Sequence, residues 1–322
     1  MHANVLPFSA LFDLIENSLP LALIEKRSRE RLRAFSSLYA SNFPIRLVAF
    51  ECSLQETDLW GDMHILLPNP SQELLKFPAT MLFKDPAWEA VTALLQDWNR
   101  SGYLTEHGVD RVIIGLDIGS EPNWPPQPNL FFHFRRDISD PVTLAIEAFS
   151  RLLHKPMPNA MLTSLHSYTP ETIGFLLARS SSMRISIQAP SPDVYSLTKL
   201  FPQSHLTGIF DSLKDATQGD LARAIYPIRV GFDIGEEGMI YPKMGVRLHT
   251  HTSTDLLDSL SLKGFLNEPK KKALLSWVAH HTPDNLRRAV NHLKFVCTPH
   301  QNLWTKAYLL VEYLAQQPAK TL

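Results

Sequence analysis

The chain has 322 residues, 44% hydrophobic and 20% charged, with 31 basic side chains against 32 acidic ones and a formal net charge of -1. This is the profile of a soluble folded protein, and the balance argues against a nucleic-acid or polyanion binder, which carries a basic excess across its domain. The two cysteines, Cys52 and Cys297, lack CxxC spacing, which excludes a disulfide framework and a cysteine zinc site and suits a reducing compartment.

The first twenty residues lack a basic stretch followed by an apolar core, and no window approaches the ~20 apolar residues of a membrane span. A cytoplasmic protein without a membrane or nucleic-acid partner is expected. Proline (24) outnumbers glycine (13), which indicates defined chain reversals rather than flexible linkers. No shift in composition marks a boundary, so one domain is expected over 1–322, with a helical segment over 8–40 and a strand-rich body over 44–315. The basic run Arg27, Arg29, Arg31 and Arg33 reads as a solvated helix face, or as a surface for an acidic leader peptide.

From residue 46 onward a unit recurs five times: two alternating runs, a turn, then a helical stretch. The paired runs are 46–54 with 62–67, 111–118 with 129–135, 172–179 with 183–188, 228–234 with 243–251, and 292–297 with 306–312. Asp85-Pro86 and Asp140-Pro141 have the N-cap and N1 chemistry of helix starts. Trp88, Trp98 and Trp277 fall at apolar spacings of helices and read as core. Trp60 and Trp124 fall in hairpin turns, where they pack the turn or cover a barrel mouth. Five antiparallel hairpins supply ten strands.

Alternation sorts each strand into two faces. One face is apolar with few exceptions, such as Thr250, and must lie against the helices. The other mixes cations, histidines, glycines and aromatic residues. An open sheet would show that face to solvent, whereas a closed barrel would turn it into a lumen wide enough for a ligand. The mixture of Arg, Lys and His with Phe131, Tyr308 and Glu51 favours closure. In a barrel, Arg184, Arg229, Lys243, Arg247, Lys294 and Lys306 converge, and so many buried cations call for an anion such as phosphate or diphosphate. Units one and two contribute Glu51, Asp62, His64, Asp117 and His133 instead, so the lumen is expected to be polarised.

Five ββ units flanked by helices, with Lys306-Ala307-Tyr308 in the last strand, Lys243 to Arg247 in the fourth unit and Phe50-Glu51-Cys52-Ser53 in the first, resemble the soluble aromatic prenyltransferases of the PT-barrel (ABBA) fold. Among these, the cyanobactin-type peptide prenyltransferases are nearest in size. The resemblance covers about residues 44 to 315. It implies an α+β fold, a ten-stranded antiparallel closed barrel inside a ring of helices. It also implies transfer of an isoprenoid from an allylic diphosphate to a peptide side chain (a RiPP-type product) or an aromatic natural product.

Carried onto this chain, the resemblance makes Lys243, Arg247, Lys294 and Lys306 diphosphate ligands, supported by Arg184 and Arg229. Tyr308 becomes a shield for the allyl cation; the histidines His64, His133, His249 and His292 stand where the family places tyrosines, and His249 and His133 are taken to join the shield. Glu51 becomes the acceptor-side base. A Mg2+ ion bridging the diphosphate to Asp62 or Asp117 is compatible with the pattern but not required.

Two other readings stand beside it. One is a non-catalytic barrel that binds a peptide precursor or a phosphorylated ligand. The other is a metal-dependent barrel enzyme using His249 and His251, with His133 or Glu51 as further ligands. His280-His281 reads as a helix C-terminus, and Gly115 and Gly231 open no nucleotide-binding loop.

Overall fold

A computed structural model describes residues 6–38, 43–55, 61–69, 74, 76, 85–118, 126–135, 140–177, 182–188, 225–249, 254–279, 285–297 and 303–314. The side chains of 38, 225–228, 240–244, 246, 248, 249, 255, 256, 297 and 303 lie outside the description. The side chains of Lys243 and His249, and all of His251, His280, His281, Trp60 and Trp124, therefore fall outside the described residues.

The N-terminal segment is tied down by a two-residue pairing, β1 (Leu6–Pro7) with β2 (Pro44–Ile45), which brackets the helices Phe8–Ile15 and Lys26–Leu38. Phe8 meets Phe12 and Phe35 edge to face, with all three rings buried. The basic run departs from a simple solvated face. Arg29 donates to the carbonyls of Ile24, Glu16 and Leu19, and Arg31 donates to the Ile118 carbonyl at 2.9 Å. These two arginines satisfy chain ends that water would otherwise have to reach, while Arg27 and Arg33 remain exposed.

The ten strands that follow are β3 (Leu47–Ser53), β4 (Gly61–Pro68), β5 (Val109–Leu116), β6 (Pro128–Phe134), β7 (Thr172–Phe175), β8 (Met183–Gln188), β9 (Ile225–Ile234), β10 (Ile240–His249), β11 (Leu286–Cys297) and β12 (Leu303–Tyr313). Each pairs antiparallel with the next in sequence, and β12 pairs with β3, so the sheet is a closed barrel in simple up-and-down order. Closure leaves no unpaired edge. The third hairpin is shorter than its apolar run suggests, since β7 stops at Phe175, whereas β9 and β11 begin before their alternation becomes visible.

Period-two alternation decides which side chains face out. Val48, Phe50 and Cys52 of β3, Met63, Ile65 and Leu67 of β4, and Val112, Ile114 and Leu116 of β5 belong to one continuous buried core with the helical residues Trp88, Trp98 and Trp277. Each fully buried apolar side chain of this kind contributes about 1.5–3 kcal/mol. The covering helices start where their caps require. Asp85 accepts hydrogen bonds from the Ala87 and Trp88 amides ahead of the helix Pro86–Ser101, and Asp140 accepts from the Thr143 amide ahead of Pro141–Leu153. The first of these helices ends at Gly102 with φ 76°, the left-handed position that favours glycine. Among the described residues no helix is long and apolar enough to cross a membrane.

Candidate functional site

Strand register assembles the cations into a line. On the lumen face Lys306 of β12 is opposite Lys294 of β11, Lys294 is opposite Arg247 of β10, Arg247 is opposite Arg229 of β9, and Arg229 is opposite Gln188 of β8. Four basic residues thus occupy consecutive positions of one cross-strand row, where opposed like charges repel. In a lumen they also lose hydration, which makes the row costly unless something negative compensates it.

The compensation is uneven. At one end Lys306 pairs with Glu51, and at the other Arg229 Nε donates to Glu171 Oε2 at 2.5 Å. The centre has no such partner. The one hydrogen bond of Arg247 among the described residues runs from Nη2 to Ser186 Oγ at 3.2 Å, and its buried Nε has none. Lys294, 9% exposed, makes no hydrogen bond or ion pair among the described residues. Burial, reinforced by Arg184 and Arg229, lowers the Arg247 pKa to about 10. Burial and the neighbouring Arg184, Arg247 and Lys306 hold the Lys294 amine well below the usual lysine range, against the opposing pull of Glu51.

The adjacent lumen row gives this centre space. Gly245 is opposite Gly231, which is opposite Ser186. A Cβ on Gly245 would lie 2.5 Å from Lys294 Cε, so the absent side chain is what admits the lysine stem. A small recess beside the two glycines is bordered by Arg184, Arg247, Lys294 and Val296. Arg184 is held there by a two-pronged bond to Asp233, at 2.6 and 2.9 Å.

Beside the row stands a mixed acidic and aromatic wall, built from β3 and β4 and from Tyr308 and His292 on the row's own strands β12 and β11. Glu51 of β3 is opposite Tyr308 on one side and Asp62 on the other. Its carboxylate accepts hydrogen bonds from Lys306 Nζ and the Tyr308 hydroxyl, with His64 Nε2 at 3.6 Å. Burial pushes the Glu51 carboxyl up, but Lys306, Lys294 and His64 outweigh it and hold the group well below the ordinary carboxylate range. His292 stacks on Tyr308 with ring centres 4.0 Å apart, His64 sits 5.5 Å from Tyr308, and Phe131 lies 6.5 Å from His64. Phe131 in turn needs Gly174, where a Cβ would fall 2.0 Å from the ring. Together these walls enclose a cavity of about 160 Å³, room for on the order of ten waters.

Of the residues singled out from sequence, Glu51, Asp62, Asp117, His133, Arg184, Arg229, Arg247, Lys294, Lys306 and Tyr308 all line this one cavity. Lys243 and His249 lie on β10, with their side chains outside the described residues. The expected polarisation is corrected in one respect: carboxylates also stand on the cationic side, as Asp233 on Arg184 and Glu171 on Arg229. It is His292, not His133, that stacks on Tyr308, since the His133 ring is hydrogen-bonded to Asp110. Asp117 accepts from Asn129 at 3.5 Å. Among the described residues no three His, Cys, Asp or Glu side chains group as a metal site. Alternation puts Arg111 on the polar face with Gly115 and Asp117, and Asp233 with Arg229 and Gly231, but gives neither a role; Glu171, one residue ahead of β7, and the Phe131–Gly174 contact leave no such signal.

By sequence, neither a family model nor a curated protein matches the chain. Its structure is similar to that of 5-dimethylallyl tryptophan synthase from Streptomyces coelicolor, solved with DMASPP and Trp, with a TM-score of 0.57 and 9% identity over 99% of both chains. Prenyltransferase PriB, solved with product diphosphate, matches with a TM-score of 0.56 and 12% identity, again over 99% of both chains. AnaPT from Neosartorya fischeri matches at 0.53 and 10% identity, covering 96% of this chain and 92% of that one. At such identities the likeness is one of fold. The chain has the PT-barrel fold of these prenyltransferases, as its strand pairs led us to expect.

Proposed function

We propose that the chain transfers an isoprenoid group from an allylic diphosphate to an aromatic acceptor inside the barrel. The observation that carries this reading is the cation row, neutralised at both ends and open at Arg247 and Lys294. A diphosphate fits a linear set of fixed donors, with the Arg fork and the Lys point charge on its oxygens. As its C–O bond breaks, the electron pair leaves on the diphosphate, where preorganised cations stabilise the growing charge.

The allyl cation left behind is then met by the Tyr308–His292 stack and His64, aromatic faces suited to a cation. Glu51 stays ionised near neutrality and retains acceptor capacity beyond Lys306 and Tyr308, so it accepts a hydrogen bond from an acceptor N–H or O–H. Held so low, it acts by orienting the acceptor and by offsetting the positive charge that develops on the attacked ring, rather than by early proton removal. Closure of the barrel limits water, which would otherwise capture the cation as an alcohol.

Neighbours solved with tryptophan support an aromatic acceptor. A peptide carries the same side-chain chemistry. The test is incubation with dimethylallyl and geranyl diphosphates and with free aromatic amino acids or aromatic-containing peptides, read by mass spectrometry. Prenylated product with diphosphate release is expected. Tight pyrophosphate binding with no transfer from any pairing would leave a binding barrel, and failure of both would sink the anion site as well.

A further inference from the structure

The cation row contains a primary amine that no neighbouring group engages. Lys294 lines the main cavity and also the small recess beside Gly245, and among the described residues it makes no hydrogen bond or ion pair. Other buried lysines differ. Lys306 is held by Glu51, and Lys270, on the helix Glu268–Ala279, donates to the Ser53 carbonyl at 3.0 Å. Around the Lys294 amine, Arg184 on β8, Arg247 on β10 and Lys306 on β12 add positive charge, and Glu51 on β3 opposes them.

This is a setting in which a lysine becomes a nucleophile. Burial first, then the neighbouring cations, favour the uncharged amine against the pull of Glu51, and the freed lone pair of such an amine attacks an electrophilic carbon. The stem is fixed as well. It passes over Gly245, where a Cβ would fall 2.5 Å from Lys294 Cε, and Val296 borders the same recess. An anion anchor stands alongside: Arg247 is opposite Lys294 in the register, and its buried Nε has no hydrogen bond. Directly opposed residues have Cβ atoms about 4.5–5.5 Å apart, so one small molecule can reach both side chains.

We infer that Lys294 is a carbonyl-reacting residue and forms, with Arg247, a site for a small aldehyde that bears a phosphate group. The guanidinium takes the phosphate, and the amine takes the carbonyl carbon as an imine. The step needs no further reagent. The lone pair of Lys294 Nζ forms the C–N bond, the carbonyl π electrons pass to oxygen, and the carbinolamine loses that oxygen as water together with the two amine hydrogens. An imine is less basic than the amine it replaces, so the product adds no charge to the cation row. A diphosphate and the aldehyde compete for this position, which makes imine formation a reversible block on the anion site. The inference goes beyond prenyl transfer and is measured without turnover.

The test treats the whole protein with pyridoxal phosphate, reduces the adduct with borohydride and maps the labelled lysines by mass spectrometry. Labelling of Lys294 is expected at least tenfold above that of any other lysine. Pyridoxal, which lacks the phosphate, is expected to label Lys294 at least tenfold less, and saturating pyrophosphate suppresses the label by a similar factor. Lys294→Met removes the label and the imine absorbance, whereas Arg247→Met keeps the amine and loses the preference for the phosphorylated aldehyde. Label spread evenly over the lysines, equal labelling by pyridoxal, or label at Lys294 that pyrophosphate leaves untouched overturns the site. If Lys294→Met does not fold, Lys294→Arg and the peptide map of the wild type carry the same comparison. Protected label at Lys294 in a protein that transfers no isoprenoid keeps the site and fails the reaction; an active transferase with no label there does the reverse.

Discussion

The two halves of the lumen wall, β3–β7 and β8–β12, are built alike on the outside and differently within. Both turn Val, Ile, Leu and Phe outward to the same helix-covered core. Inside, β8–β12 present Arg184, Arg229, Arg247, Lys294 and Lys306, while β3–β7 present Glu51, Asp62, His64, Asp117, Phe131 and His133, with Arg111 as the one cavity-lining Lys or Arg among the described residues of that half. The outer face carries the packing that stabilises the fold. Apart from a small apolar cluster of Ala49, Leu66 and Leu310, the inner face is released from that duty and can hold an arrangement that is unfavourable by itself.

The largest expected effect breaks the comparison at its cationic half. Replacing both Arg247 and Lys294 with Met removes the two uncompensated cations, and pyrophosphate affinity measured by calorimetry is expected to fall about a thousandfold, taking about 2 kcal/mol per charge-assisted contact. Glu51→Gln, in the other half, is expected to leave that affinity within severalfold. If it weakens pyrophosphate as much as the double variant does, the two halves are not separate sites.

A smaller effect, of opposite sign, appears in stability. Lys294 is buried among cations, so Lys294→Met is expected to stabilise the apo protein against urea by about 1–4 kcal/mol while it weakens the anion site. A loss of stability would show that the row is satisfied as it stands.

The smallest effect is a pH dependence of the acidic half. The folded-state pKa of Glu51 lies below its unfolded value of about 4.3, so its stabilisation is fully present above that value and is lost as pH falls through the folded pKa. The stability difference between wild type and Glu51→Gln is therefore expected to be on the order of 1 kcal/mol or more near pH 6 and to shrink toward zero on acidification. A difference that is flat from pH 6 to pH 2 would place the pairing of Glu51 with Lys306 in doubt.

Much of the site could be read without coordinates because a strand has a period of two. Once Arg229, Arg247, Lys294 and Lys306 were placed on the polar face of their strands, only closure was needed to bring them to one cavity. What could not be read was pairing across strands. The alternation that puts Arg184 and Asp233 on polar faces says nothing of their being opposite one another, and the bulge that commits Asp110 to His133 leaves no mark in composition.

The sequence by itself determined the units of this protein: five hairpins, Asp-Pro helix starts, an apolar face and a polar face, because these follow from local periodicity and capping. Tertiary structure decided which charges are spent on one another and which are left over. Register set Glu51 and Glu171 on the ends of the cation row and left Arg247 and Lys294 open at its centre. Electrostatic partnership depends on distances of a few ångströms between strands far apart in the chain, and closure of the barrel establishes those distances.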